Sequence, residues 1–202
     1  MSPGHSTAAT YAWLRERYPR LIEAYCVTLV QGLSPEALLK ALGAEPAERM
    51  TGVAELSGPA YEEWGPAYFV GVTAVGDWSL MVEYNGFVGT RKATAPAVSR
   101  GRTVVSHFRN VNAVDHFHWC EDGVTRLHFE PLFPYCRDGS DPDGLITEMR
   151  ESGFDLSDAD DRFYGGHTEA AFALAEHVTG VRLTPDLFAS AEFVCGRVPN
   201  RR

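Results

Sequence analysis

Three histidines and a glutamate alternate along two short runs, Asp115-His-Phe-His-Trp-Cys120 and Thr125-Arg-Leu-His-Phe-Glu130. Side chains on a strand repeat every second residue, so His116 and His118 share one face, as do His128 and Glu130 on the second run. Glu121-Asp122-Gly123 lies between the runs. A three-residue loop ending in Gly predicts a hairpin that pairs Phe117 with Leu127 and Trp119 with Thr125. His128 then stands opposite His116, and Arg126 falls in the middle of the histidine face. Three imidazoles and a carboxylate suit zinc, iron or manganese, and an open coordination position would permit metal-assisted hydrolysis or oxygen chemistry. A half-exposed sheet face facing water or a partner would show the same residue types. No cofactor is expected unless this row is a metal site.

Glu83 is the second place where chemistry is conceivable. It interrupts the apolar run Leu80-Met-Val-Glu-Tyr. In a central strand its carboxyl would be desolvated and its pKa raised. His107 and Arg109, on one face of a later strand, are its expected partners, a trio able to do acid–base work. In an edge strand Glu83 would simply face water. Ser99-Arg-Gly-Arg-Thr103 could form an anion-binding turn, or serve only as the connection into a strand. Tyr61, Trp64 and Tyr68, flanking Glu62-Glu63 and Gly65-Pro66, could meet a protein partner or cover the edge of the core. There is no nucleophile elbow, phosphate loop or dinucleotide fingerprint. The acidic run over residues 155–161 lacks the calcium-loop spacing.

The elements that must position these residues read as follows. Helices are predicted over residues 7–18, 35–42, 141–152, 170–179 and 184–193. Ser34-Pro35-Glu36, Asp141-Pro142-Asp143 and Thr184-Pro185-Asp186 supply the cap, the first-turn proline and the acidic first turn. Strands are predicted over 68–75, 78–84, 103–111, 115–120 and 125–130, with Gly76-Asp77 as a two-residue hairpin turn. A further strand over 25–31 is a possible addition to the sheet. The expected fold is α+β: an antiparallel β-meander of about five strands with flanking N- and C-terminal helices. The helices should pack on one face and leave the histidine row accessible on the other.

The 202 residues suit one domain, placed at 8–195, with 1–7 and 196–202 as flexible termini. A net charge of −9 argues against a nucleic-acid footprint and favours a basic partner. No stretch approaches the ~20 apolar residues of a membrane span, and the N-terminus lacks the pattern of a signal peptide. Cys26, Cys120, Cys136 and Cys195 are scattered, as in a reducing cytoplasm.

Four segments carry a resemblance: residues 25–36 (Tyr-Cys-Val-Thr-Leu-Val-Gln-Gly-Leu-Ser-Pro-Glu), 76–89 (Gly-Asp-Trp-Ser-Leu-Met-Val-Glu-Tyr-Asn-Gly-Phe-Val-Gly), 99–106 (Ser-Arg-Gly-Arg-Thr-Val-Val-Ser) and 139–144 (Gly-Ser-Asp-Pro-Asp-Gly). Together they resemble an uncharacterised domain family of actinobacterial cytosolic proteins, over roughly residues 20–190. The resemblance implies a standalone cytosolic protein and carries no catalytic residues. Two functions are expected. The first is a non-enzymatic binding protein, immunity-like or an adaptor, that recognises another protein. The alternative is a small metal-dependent enzyme built on His116, His118, His128 and Glu130.

Overall fold

A computed structural model describes residues 6–62, 65–92, 94–159 and 165–200. Glu63, Trp64, Asp160 and Asp161 lie outside the described residues. The strands are β1 (Tyr25–Gln31), β2 (Glu45–Pro46), β3 (Met50–Thr51), β4 (Ala67–Val75), β5 (Trp78–Tyr84), β6 (Thr103–Arg109), β7 (Asp115–Glu121), β8 (Val124–Phe129), β9 (Arg137–Asp138) and β10 (Glu192–Pro199). The helices are α1 (Trp13–Arg17), α2 (Pro19–Glu23), α3 (Pro35–Ala41), α4 (Ser57–Glu62), α5 (Thr94–Val98), α6 (Ile146–Ser152), α7 (His167–Thr179) and α8 (Pro185–Ser190). The mixture of helices with an antiparallel sheet agrees with the expectation. The sheet is larger, with ten strands in the order β2-β10-β4-β5-β1-β6-β7-β8-β9 and β3 also pairing with β10.

It is also not a meander. β1 inserts between β5 and β6, in register from Tyr25 opposite Tyr84 to Gln31 opposite Trp78. Six successive β1 residues are buried, so both faces of the strand are covered and both edges need a hydrogen-bonding neighbour. The chain after β5 must therefore cross over β1 to reach β6. The strand that the sequence did not anticipate is β10, which lies between β4 and the short edge strand β2. Ser190 ends the helix that Thr184 caps through Leu187 N, and the next residues alternate: Phe193 and Cys195 join one core, Val198 the other. The strand continues to Pro199, paired with β4, where the sequence places a flexible terminus from residue 196.

Helices cover both faces rather than one. On the first face α6, α7, α8 and the N-terminal helices bury Leu29, Leu80, Phe172, Phe188 and Phe193, and, further along, Phe117, Leu127 and Phe129. On the second face α3 and the crossover bury Leu38, Val70, Met81, Val88, Ala95 and Val104. The crossover covers only part of that second face, and the histidines lie where its cover ends.

Candidate functional site

The β7–β8 hairpin fixes the histidines, and its register differs from the sequence expectation. The loop has two residues, Asp122 and Gly123, since Glu121 pairs with Val124. Both have positive φ (49° and 79°), as the tight turn that best fits the strand twist demands. An irregularity between Trp119 and Cys120 then shifts the register by one residue, so that Phe117 pairs with Phe129 and Trp119 with Leu127. The bulge restores the parity that a two-residue loop alone would break, and the apolar side chains all still face the core. Two consequences concern the site. His128 stands opposite His118, not His116. Arg126, the extra residue, leaves the histidine face: its guanidinium lies 5.6 Å from the Trp119 ring and pairs with Asp141 at 3.3 Å.

His116, His118 and His128 do come together. His128 Nε2 lies 3.2 Å from His116 Nδ1, and the His118 and His128 ring centroids are 4.3 Å apart. Asp138 on β9 meets His128 Nδ1 at 3.3 Å. A carboxylate can only accept, so the tautomer that fits Asp138 carries a proton on His128 Nδ1; in that tautomer Nε2 accepts from His116 Nδ1–H. His116 stacks on Phe108 at 6.0 Å, nearly parallel. Burial pushes the His118 imidazole down to about 3, with the neighbouring histidines adding to the effect, and burial likewise lowers His116. Both rings are neutral at pH 7.

These rings form one wall of a cleft of about 570 Å³. The opposite wall is the crossover, through Thr90, Arg91, Lys92, Ala95 and Pro96, and Asp138 and Gly139 close one end. Glu130 does not line the cleft; its charge acts instead on Asp115. The cleft has the size of many small-molecule sites. Sequence analysis did not identify the second wall. The adjacent cations Arg91-Lys92, following Gly89 in a crossover, were the available signal.

Glu83 is buried and shapes that wall from beneath. Its carboxylate accepts hydrogen bonds from Val88 N (2.9 Å) and Gly89 N (3.1 Å). Desolvation pushes its pKa up to about 7, against the pull of those two N–H groups, Cys26 and Arg91. A Cβ on Gly89 would collide with Thr28 Oγ1 and sit 3.0 Å from Cys26 Sγ, so only glycine lets the crossover lie this close to β1. His107 and Arg109 are not its partners. Glu83 pairs across β1 with Cys26, which in turn pairs with Phe108, so the residues flanking Phe108 point to the opposite face.

On that opposite face His107 and Arg109 belong to a separate buried polar group. His107 Nδ1 is 2.9 Å from Tyr25 Oη, and burial lowers its pKa well below the ordinary value. Arg109 donates to Asp115 at 3.1 Å, and His167 Nε2 lies 3.6 Å from the same carboxylate. Burial raises Asp115 to about 6, opposed by His167 and Arg109.

The remaining expectations separate as well. Tyr61 packs near Tyr84 on the first face, whereas Tyr68 lies under Arg91 and beside Phe87 on the second, so the two tyrosines form no common patch. The Arg100-Gly-Arg102 turn does bind an anion, but an internal one: Gly101 N donates to Asp122 Oδ1 at 2.9 Å. Among the described residues, no group of three or more His, Cys, Asp or Glu is placed to hold a metal ion, and no helix is long and apolar enough to cross a membrane.

The sequence profile of a family described as "Family of unknown function (DUF6461)" matches residues 4–202. No curated protein and no solved structure matches the chain.

Proposed function

The chain belongs to this family of unknown function, and we propose, from the site itself, that it is a non-catalytic recognition protein that holds part of a partner molecule in the histidine cleft. One observation carries the reading. The two carboxyls whose ionisation burial brings towards neutral pH, Glu83 and Asp115, are sealed in the interior at 0% exposure and do not line the cleft, whereas the histidines that do line it, His116 and His118, are shifted away from neutral pH. The cleft offers the neutral imidazoles of His116 and His118 with the exposed Lys92 at its rim, which suit binding better than proton transfer. The reading keeps the cytosolic setting and actinobacterial source that the resemblance implies, and another protein as the partner. Affinity capture with wild-type protein and with a His118→Ala/His128→Ala bait tests it. A species retained by the first and lost from the second supports the cleft as the recognition site. Identical captures refute it.

One distance favours a metal instead. Two nitrogens bound to one tetrahedral zinc at about 2.0 Å lie roughly 3.3 Å apart, close to the 3.2 Å between His116 Nδ1 and His128 Nε2. The placement of Asp138 behind His128 also resembles a carboxylate that orients a ligating imidazole. Against this, no third ligand converges with the pair among the described residues. Elemental mass spectrometry on protein purified without chelator decides between the readings. Near-stoichiometric zinc, iron or manganese, lost in His116→Ala and His128→Ala, would replace recognition with metal chemistry.

A further inference from the structure

The second wall of the cleft is tied to the sheet at few points. Residues 86–92 leave β5 and cross β1, and none of them belongs to a strand. Their one regular piece is the 3₁₀ turn Val88–Thr90. The Glu83 carboxylate accepts from Val88 N at 2.9 Å and Gly89 N at 3.1 Å, the Ser106 hydroxyl donates to Gly89 O at 3.0 Å, and the Val88 side chain is buried. A segment held this sparsely opens locally at a lower free energy than the strands beneath it.

Glu83 differs from the other anchors in carrying an ionisable group that the segment itself seals off. It is 0% exposed and makes no ion pair among the described residues. The backbone packs so closely on it that a Cβ on Gly86 would overlap its Oε2. The facing groups do not neutralise its charge. From β1 comes the Cys26 thiol, which burial pushes well above its ordinary value and so keeps protonated. β6 contributes the hydroxyl of Ser106, and β4 the Tyr68 ring, which lies under Arg91. Arg91, in the segment itself, favours the carboxylate less than the Val88 and Gly89 amides and Cys26 do, and desolvation outweighs them all.

We propose that residues 86–92 form a lid over Glu83, closed while its carboxyl is protonated and released when the proton is lost, so that one buried acid sets whether the histidine cleft has its second wall. This rests on the reading of the cleft as a recognition site and adds the regulation of that site. Opening gives the carboxylate the hydration that the closed lid denies it, and the proton goes to solvent. The closed form binds that proton more tightly, so it is favoured in acid and loses stability relative to the open form as pH rises from the ordinary carboxyl value of 4.5 through about 7. A partner that needs both walls is then held more tightly at pH 6 than at pH 8.

Amide hydrogen exchange of the full chain, read by NMR from pH 5 to pH 8 and normalised to the intrinsic rate at each pH, tests the lid. The Val88 and Gly89 amides should exchange faster than those of β1, which report global unfolding. Their protection should fall on the order of 50-fold from pH 5 to pH 8, the change in opening expected for a carboxyl moving between these two ionisation ranges. In Glu83→Gln, which cannot ionise, it should stay flat. The side-chain carboxyl carbon resonance of Glu83 in wild type should titrate together with that fall, a readout that needs no variant. Protection that does not change with pH, that changes equally in Glu83→Gln, or that follows the β1 amides at every pH overturns the lid. Capture that depends on His118 and His128 is measured at one fixed pH, so recognition can fail with the lid intact, or the lid with recognition intact.

Discussion

Replacing Glu83 with Gln should flatten one specific part of the pH dependence of stability. Glu83 ionises near 4.5 when unperturbed and near 7 in the folded chain, because burial penalises its charge. Between these values the native state holds a proton that the unfolded chain has released. Stability therefore falls as pH rises through that window, by about 1.4 kcal/mol per unit of difference, or about 3 kcal/mol in all. Other groups act in the same range. Asp115, raised to about 6, adds a loss of the same sign at lower pH. His116 and His118, both lowered, act the opposite way, since the unfolded chain takes up protons there that the native state refuses. The total curve is thus uninformative, and the difference between wild type and Glu83→Gln isolates the one group. Urea unfolding at half-unit steps from pH 5 to pH 8 is the assay. Gln has one acceptor oxygen for the two N–H groups of Val88 and Gly89, so the variant should be about 1–3 kcal/mol less stable at pH 5. The deficit should shrink or reverse by pH 8, where wild type carries a buried charge. A deficit constant with pH would refute the reasoning, because it would mean that Glu83 does not change protonation across the range.

Gly89→Ala should cost about 1–3 kcal/mol in the same assay at any pH, because its Cβ meets Thr28 in the centre of the sheet. His118→Gln should make the protein less sensitive to acid: wild type loses stability as pH falls below 6.5 towards 3, since the unfolded imidazole protonates first, and the variant lacks that term. Phe172→Ala should cost about 3–5 kcal/mol in thermal or urea unfolding, since this ring is buried and stacks on Tyr11 and Tyr25. Tyr25→Phe should cost about 1–3 kcal/mol by leaving His107 Nδ1 without its buried partner, again read from the urea midpoint.

The sequence is legible where local chemistry decides the structure. Ser34 caps α3 through Ala37 N, and Gly76-Asp77 forms the two-residue turn between β4 and β5. The apolar face of Phe117, Trp119, Leu127 and Phe129 was readable because burial constrains parity. The register was not, since a three-residue loop and a two-residue loop with a bulge give the same parity. Only the backbone geometry of Asp122 and Gly123 separates them. What shifted was the pairing of His118 and His128, the very contact on which the site depends. Strand order was hidden for a different reason. Periodicity reports which face a residue takes and says nothing about which strand lies beside it. The unbroken apolar run of β1 was the one local sign of a central position.

Glu83 shows how a residue can be singled out correctly for the wrong role. Its type and its apolar setting did forecast a perturbed carboxyl, and burial does raise it. Catalysis would further require access, and Glu83 has none. What the carboxylate does have is the backbone of the crossover: it holds Val88 and Gly89 over β1, and the residues that follow form the wall opposite the histidines. Ser106 holds the segment from the other side, donating to Gly89 O at 3.0 Å. A crossover lacking these anchors would have exposed backbone and a wide choice of positions, and the cleft would lose its second wall. The buried acid therefore contributes to the cleft through geometry, by fixing where the crossover wall stands relative to His118.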